Sequence, residues 1–385
     1  MVLKLNNKIT ANYKKEFSYD VYFEDDMFNI KNPLIKQVTN NRKLIIIMSK
    51  TVERLYYDKI MNYFQFNNFD YSVLTIETGE ENKTLQNIEN IVSFCNQKNA
   101  DRKTILIGIG GGILLDMVGF AASMVRRKLD YIRIPTTLVG QIDAGIGIKT
   151  GVNFEKKKNY IGSFYPPIAC LNDISFLYTL SELNIICGLA EIIKMGIIVD
   201  KSLILLIEAN KESLLKSYRT QGQENVTINI LATIDMLDEL KPNFYEENLE
   251  RLVDFGHTFS PYIEEKSNYE IPHGIAVGLD IALSTEISYL KKYLKKEDRE
   301  RILKLLLECK LDIYNTKTFN TVELKKSLDR IELHRGGDLN LVVPEKIGSA
   351  IFVKDKSEVT IELLQTAINN LKMYQEKYKL SEVNY

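Results

Sequence analysis

Ile105-Leu-Ile-Gly-Ile-Gly-Gly-Gly-Ile-Leu-Leu-Asp116 runs a short apolar block into three consecutive glycines and out into a second apolar stretch that carries one carboxylate. Such a block reads as a buried strand that turns sharply into a helix. Glycines there let backbone amides approach a pyrophosphate, and the helix N-terminus adds positive dipole. The spacing is GxGGG rather than GxGxxG, so a purely structural strand-to-helix turn fits the same residues. Upstream, Leu44 to Met48 and Tyr71 to Ile76 read as strands, each followed by an amphipathic stretch, to Phe64 and over Leu85 to Cys95. Downstream, Tyr131 to Ile134 supplies another strand before Pro135-Thr136-Thr137, whose two hydroxyls are placed to join the same nucleotide. Strands alternating with helices build a parallel sheet. From about Ile174 the pattern becomes long and helical, over Cys187–Ile198, Ser202–Lys216, Val226–Glu239, Ile275–Tyr293 and Arg299–Lys310. The expected fold is therefore α/β, with an N-terminal Rossmann-like parallel-sheet domain over 1–173 and a mainly α-helical domain over 174–385. Neither a repeat nor a low-complexity linker separates them, so a shared cleft is expected.

The 385 residues are 45% apolar and 26% charged, and 50 basic residues nearly cancel 51 acidic ones. Such a balance gives no global field for nucleic acid or an anionic membrane, so neither is an expected partner. An anionic ligand must be met by local charge. Four cysteines, Cys95, Cys170, Cys187 and Cys309, lack CxxC spacing and read as buried free thiols. No stretch has signal-peptide character or approaches the roughly 20 apolar residues of a membrane span, which suits a cytoplasmic protein. The Lys-rich run Lys291 to Lys296 is expected to be a solvated helix face.

Two of the three histidines stand beside glycine in loop-like sequence, Phe255-Gly256-His257 and Pro272-His273-Gly274. Catalytic zinc sites combine imidazoles with a carboxylate and keep one position open. Glu191, inside the apolar Gly188-Leu-Ala-Glu-Ile-Ile-Lys194, is the candidate third ligand, because a carboxylate there needs compensation. Lys194 follows one helical turn later. It is placed to offset charge or hold a substrate oxygen, and a plain i, i+3 ion pair fits equally.

Gly110-Gly-Gly-Ile-Leu-Leu-Asp116, Arg133-Ile-Pro-Thr-Thr-Leu138, Gln141-Ile-Asp143, Lys149-Thr-Gly-Val-Asn153, Lys158-Asn-Tyr-Ile-Gly162, Phe255-Gly-His-Thr-Phe259 and His273-Gly274 together resemble the dehydroquinate synthase-like sugar phosphate cyclases, over about residues 40 to 350. The resemblance implies Glu191, His257 and His273 as ligands of Zn2+ or Co2+. It implies Arg127, Asp143, Lys149, Lys158, Asn159 and Lys194 around the substrate. It also implies Glu80, Lys83, Gly111, Gly112, Asp116, Thr136 and Thr137 around NAD. Met48-Ser-Lys-Thr-Val52 puts Ser49 where such enzymes usually carry an acid for the ribose, and a homodimer is implied as well.

Departures from dehydroquinate synthase fall in the second half. The likeness puts a pocket lysine at Met236, an arginine at or near Glu250, an asparagine at Asp254 and a histidine at Pro261. A substrate carboxylate would meet Asp254 without a compensating fork unless Arg251 turns inward, and an unpaired buried charge costs several kcal/mol, about a thousandfold in affinity. A neutral, hydroxylated substrate end is therefore expected, with Asp254 and His334 accepting from it. Leu240, Asp254 and His334 make the chain most similar to the 2-epi-5-epi-valiolone synthase branch of the sedoheptulose 7-phosphate cyclases. The chemistry so implied is transient oxidation by NAD, phosphate elimination, re-reduction, ring opening and intramolecular aldol closure. Dehydroquinate synthase itself, a cyclase giving the epimer 2-epi-valiolone, a metal-dependent polyol dehydrogenase and a non-catalytic metabolite-binding protein are the alternatives.

Overall fold

Leu44-Ile-Ile-Ile-Met48 is apolar at every position and fully buried, as a strand covered on both faces must be. Its alternate side chains enter two different cores: Leu44, Ile46 and Met48 join one, Ile45 and Ile47 the other. The computed structural model describes residues 2–5, 8–11, 13, 16–155, 157–217, 223–334 and 337–383. It opens with a small hairpin, β1 (Val2–Leu5) and β2 (Lys8–Ala11), followed by β3 (Asp20–Glu24) and the short α1 (Leu34–Thr39). Then come β4 (Leu44–Ser49), α2 (Lys50–Phe66), β5 (Tyr71–Ile76), α3 (Leu85–Gln97), β6 (Ile105–Gly110), α4 (Gly112–Met124) and β7 (Asp130–Pro135). An antiparallel hairpin of β8 (Lys149–Phe154) and β9 (Lys157–Phe164) precedes β10 (Ala169–Asp173).

Six strands form one sheet in the order β3-β10-β7-β6-β4-β5, with every pairing parallel. The chain leaves β4 toward β5 and returns on the other side at β6, so the carboxyl ends of β4 and β6 flank a topological switch point. Open α/β sheets bind ligands in that crevice. Ser49 stands at one lip and Gly110 at the other. Asp173 ends β10 by accepting from the amides of Asp26, Met27 and Ser175, which pins the N-terminal segment to the sheet.

Beyond the sheet the chain is helical: α5 (Glu182–Ile198), α6 (Lys201–Ser217), α7 (Gln223–Leu240), α8 (Ser260–Lys266), α9 (His273–Leu290), α10 (Lys296–Glu308), α11 (Thr321–His334) and α12 (Ile361–Val383). One hairpin, β11 (Leu341–Lys346) with β12 (Ser349–Val353), interrupts them. The centre is α5, buried from Ile185 to Ile198, and its N-cap Ser181 accepts from the Asn184 amide. The expected helical face at Lys291 to Lys296 is instead the turn between α9 and α10; Lys292 has φ +63° and only Lys296 begins a helix. Four cysteines are buried and free. No helix among the described residues is long and apolar enough to cross a membrane.

Candidate active site

Glu191 reaches its place because α5 and α9 cross almost in contact. A Cβ on Gly274 would lie 2.3 Å from the Cys187 backbone, one helical turn before Glu191, so only glycine allows the approach. His273, the first residue of α9 rather than a loop residue, thereby sets Nε2 3.3 Å from Glu191 Oε1. The segment before α8 brings His257 Nε2 to 3.7 Å from the same oxygen. Tetrahedral zinc with nitrogen and oxygen ligands at 2.0–2.2 Å places those ligands about 3.3 Å apart, which these separations match. One ligand atom from each of the three residues lies within 4.8 Å of the others. Neither carboxylate oxygen of fully buried Glu191 receives a well-directed hydrogen bond, although Lys194 Nζ stands 2.6 Å from Oε2. A buried carboxylate so placed between two imidazoles suits a divalent cation.

The electrostatics differ among the three: burial pushes His273 down, but Glu191 and Glu264 on either side outweigh it and raise the imidazole to about 10, so in the protein alone it carries the positive charge that faces the two carboxylates. Burial pushes the Glu191 carboxyl up, and Lys194, His257 and His273 together more than undo this and hold it well below the usual carboxylate range. Burial, then Lys194, pushes His257 down toward the neutral form that ligates metals. His257 Nδ1 lies 3.0 Å from the Phe255 carbonyl, which leaves Nε2 for the cluster. Lys194 is itself buried, and Glu191 and Asp143 outweigh burial to keep its ammonium charged. Asp143, 3.8 Å from Lys194, lies on a π-helical turn (Gly140–Ala144). Gln141 fixes that turn by donating to the carbonyls of Pro135 and Asp173.

From this cluster a cavity of about 610 Å³ runs to the switch point, bounded by Ser49, Gly111, Gly112, Thr136, Thr137 and His273. Ligand sites commonly have that volume. A Cβ on Gly112 would meet the Ala144 side chain at 2.9 Å, so the glycine turn closes tightly on the π-helical turn while α4 directs its N-terminus toward the cavity. This cradle fits a dinucleotide pyrophosphate. Ser49 is occupied as the N-cap of α2, accepting from the Val52 amide. The expected nucleotide contacts Glu80, Lys83 and Asp116 do not line this cavity. Lys83 Nζ instead bridges Asp116 at 2.6 Å and Asn159 at 2.5 Å, and Glu80 accepts from Asn153. Their attachments are to the β8–β9 hairpin, on the expected substrate side.

That hairpin carries Lys149, Lys158 and Asn159. Arg133, fully buried on β7, braces its approach by donating to the carbonyls of Gly145, Gly147 and Lys149. Lys158 pairs with Glu264 of α8, and Glu264 Oε1 lies 3.0 Å from His273 Nδ1. Lys149 Nζ is 2.7 Å from Glu246 and keeps 59% of its side chain exposed. Crowding by the cleft walls, then Arg251, pushes its ammonium down to about 8 against the pull of Asp254, Asp143 and Asp116. Water on the open side weakens that push, so Lys149 stays charged at neutral pH but deprotonates more readily than a surface lysine.

Three expectations need correction. Arg127 is exposed beyond the C-terminal end of α4, a helix of about 20 Å whose N-terminus faces the nucleotide cavity, so within this chain it does not join the cluster. Asp254 is not uncompensated: Arg251 turns inward and pairs with both Asp254 and Glu246. Glu250 pairs with Lys354 at the surface, and Met236 is buried in the helical core. His334 closes α11, and its side chain lies outside the described residues. Glu264, Glu246 and Arg133 escaped sequence reasoning because no local pattern marks a residue whose partner is distant in the chain.

Comparisons with known proteins point to one family. Models of the 3-dehydroquinate synthase N-terminal and C-terminal regions match residues 73–187 and 188–331. A 2-epi-5-epi-valiolone synthase of Streptomyces glaucescens is 38% identical over 355 residues, covering 92% of this chain and 91% of that protein. A 3-dehydroquinate synthase of Caldanaerobacter subterraneus is 33% identical, covering 91% and 98%. Among solved structures, ValA, the 2-epi-5-epi-valiolone synthase of Streptomyces hygroscopicus subsp. jinggangensis 5008 with NAD+ and Zn2+ bound, superimposes with a TM-score of 0.89 at 34% identity, covering 95% of this chain and 99% of that one.

Proposed function

The chain belongs to the 3-dehydroquinate synthase family of sugar phosphate cyclases, and from that premise we propose that it is a 2-epi-5-epi-valiolone synthase, converting sedoheptulose 7-phosphate to the cyclitol with loss of phosphate. The observation that carries the choice of substrate is the closed ionic wall beside Lys149. Arg251 is engaged by Glu246 and Asp254, so its guanidinium is not available to a substrate carboxylate. Within the wall Arg251 is balanced by two carboxylates, whose remaining lone pairs suit hydroxyl donors, which leaves Lys149 for the phosphate. The specificity expected from a bare Asp254 thus arises from a spent arginine. Dehydroquinate synthase, whose substrate is carboxylated, is not favoured.

When bound, NAD+ supplies reversible hydride transfer and Zn2+ or Co2+ polarises substrate oxygens, so the cofactor is not consumed. Glu191, His257 and His273 hold the metal; Gly111, Gly112, Thr136 and Thr137 receive the nucleotide. Lys194 balances Glu191 and presents its ammonium to a substrate oxygen. Lys149, Lys158 and Asn159 gather the phosphate end on the hairpin that Arg133 braces. Asp143 and Asp254 accept hydroxyl hydrogens. Asp173 is taken as the division between nucleotide and metal domains, because the sheet ends there. A cytoplasmic homodimer is part of this reading and rests on the family resemblance alone.

Purified protein with NAD+ and Zn2+ or Co2+ should release phosphate from sedoheptulose 7-phosphate, yield a dephosphorylated cyclic product by mass spectrometry and accumulate no NADH. Release from the carboxylated substrate of dehydroquinate synthase alone would refute the assignment. Chelation should lower the melting temperature: metal at a thousand times Kd adds about 4 kcal/mol, roughly 5–10 °C for a chain of this size. An unchanged melting curve after verified metal removal would contradict the assigned ligand set.

A further inference from the structure

Glu264 is only 5% exposed, and its two oxygens serve different parts of the protein. Oε1 faces Nδ1 of His273 at 3.0 Å, while Oε2 pairs with the Lys158 ammonium. The carboxylate has little freedom to choose between them. Its helix, α8, is tied to α9 by Asp280, whose Oδ2 accepts from the Phe259 amide at 2.5 Å and the Ser260 amide at 2.9 Å, with Oδ1 accepting from Ser284. His273 begins the same α9. Glu264 and His273 are thus fixed on one rigid corner, whereas Lys158 arrives from β9 and also lies 4.8 Å over the Tyr269 ring.

We propose that Glu264 is a positioning residue that couples the metal centre to the substrate-binding hairpin, a role that rests on the metal and substrate reading above. Its hydrogen bond from Nδ1 fixes the His273 tautomer with the Nε2 lone pair turned toward Glu191, and a carboxylate partner makes that nitrogen a stronger donor to a cation. Lys158 withdraws charge from the same carboxylate. When an anionic substrate draws the ammonium away, Glu264 bears more fully on His273 and the metal is held more tightly. By linkage, metal binding strengthens the hold on the anion in equal measure.

Co2+ affinity of the full-length protein, measured by chelator competition together with the visible Co2+ spectrum, tests this without turnover. Glu264→Gln, which keeps shape but removes charge, should weaken Co2+ by about 10–100-fold and shift the spectrum. Lys158→Met should tighten Co2+ by about threefold or more although Lys158 touches no ligand, and in the Glu264→Gln background it should have no effect. Should Glu264→Gln fail to fold, the Lys158→Met measurement decides alone. Unchanged Co2+ affinity in either single variant, or additive effects in the double, overturns the coupling. If the unaltered protein binds no Co2+, the metal reading fails instead, so the two failures are distinct.

Discussion

His257→Ala yields a folded protein that retains less than about a tenth of an equivalent of Zn2+ or Co2+ and turns over at least about a thousandfold more slowly, equivalent to some 4 kcal/mol of lost transition-state stabilisation. The substitution is chosen over Glu191→Ala because Glu191 is fully buried beside Lys194, and its loss would strand an unpaired ammonium in the helical core. His257 keeps 26% of its side chain exposed and leaves that pair intact. Elemental analysis after dialysis, with circular dichroism as the folding control, checks the outcome. Full metal content in the variant would remove His257 from the ligand set.

Lys149→Ala should separate chemistry from metal binding. Its ammonium is bound to Glu246 and reaches no metal ligand, so metal content and fold should persist while turnover falls below detection, at least about a thousandfold if a charged contact to the phosphate is lost at the transition state. The same residue predicts an alkaline limb. Because the cleft and Arg251 depress its pKa, the charged form needed for an anion is lost as pH rises. For the unaltered enzyme, kcat/KM should therefore fall somewhere between about 8 and the ordinary lysine value of 10.5. Wild-type turnover in the variant would take Lys149 out of the mechanism.

What could be read from the sequence was local. The glycine turn after Thr104–Ile109, the carboxylate inside Gly188–Lys194 and histidines next to glycine each put the informative residues within a few positions of one another. The structure brings those very elements to one cleft. Unread were pairings across the chain: Lys158 with Glu264, 106 residues apart, and Arg133 with a loop more than ten residues on. Arg251 lay beside Asp254 in sequence, but a side chain's direction depends on what packs around it, so only the structure decided between a bare and a paired Asp254. Arg127 lies past the C-terminal end of α4, so within one chain it does not join the residues gathered at the other end.

The bridge from Lys158 to Glu264 also bears on the order in which the protein is built. Chains emerge N-terminus first, and contacts between distant segments pay their loop-closure entropy before any reward. Sheet, glycine turn and hairpin can all form before Glu264, His257 and His273 have been synthesised. During that interval Lys158 has Glu80, at 3.7 Å, as its counter-charge and still lacks the closer partner Glu264. The cavity at the switch point is likewise closed by Pro272, His273 and Gly274, so the nucleotide pocket and the metal cluster are completed by the same late segment.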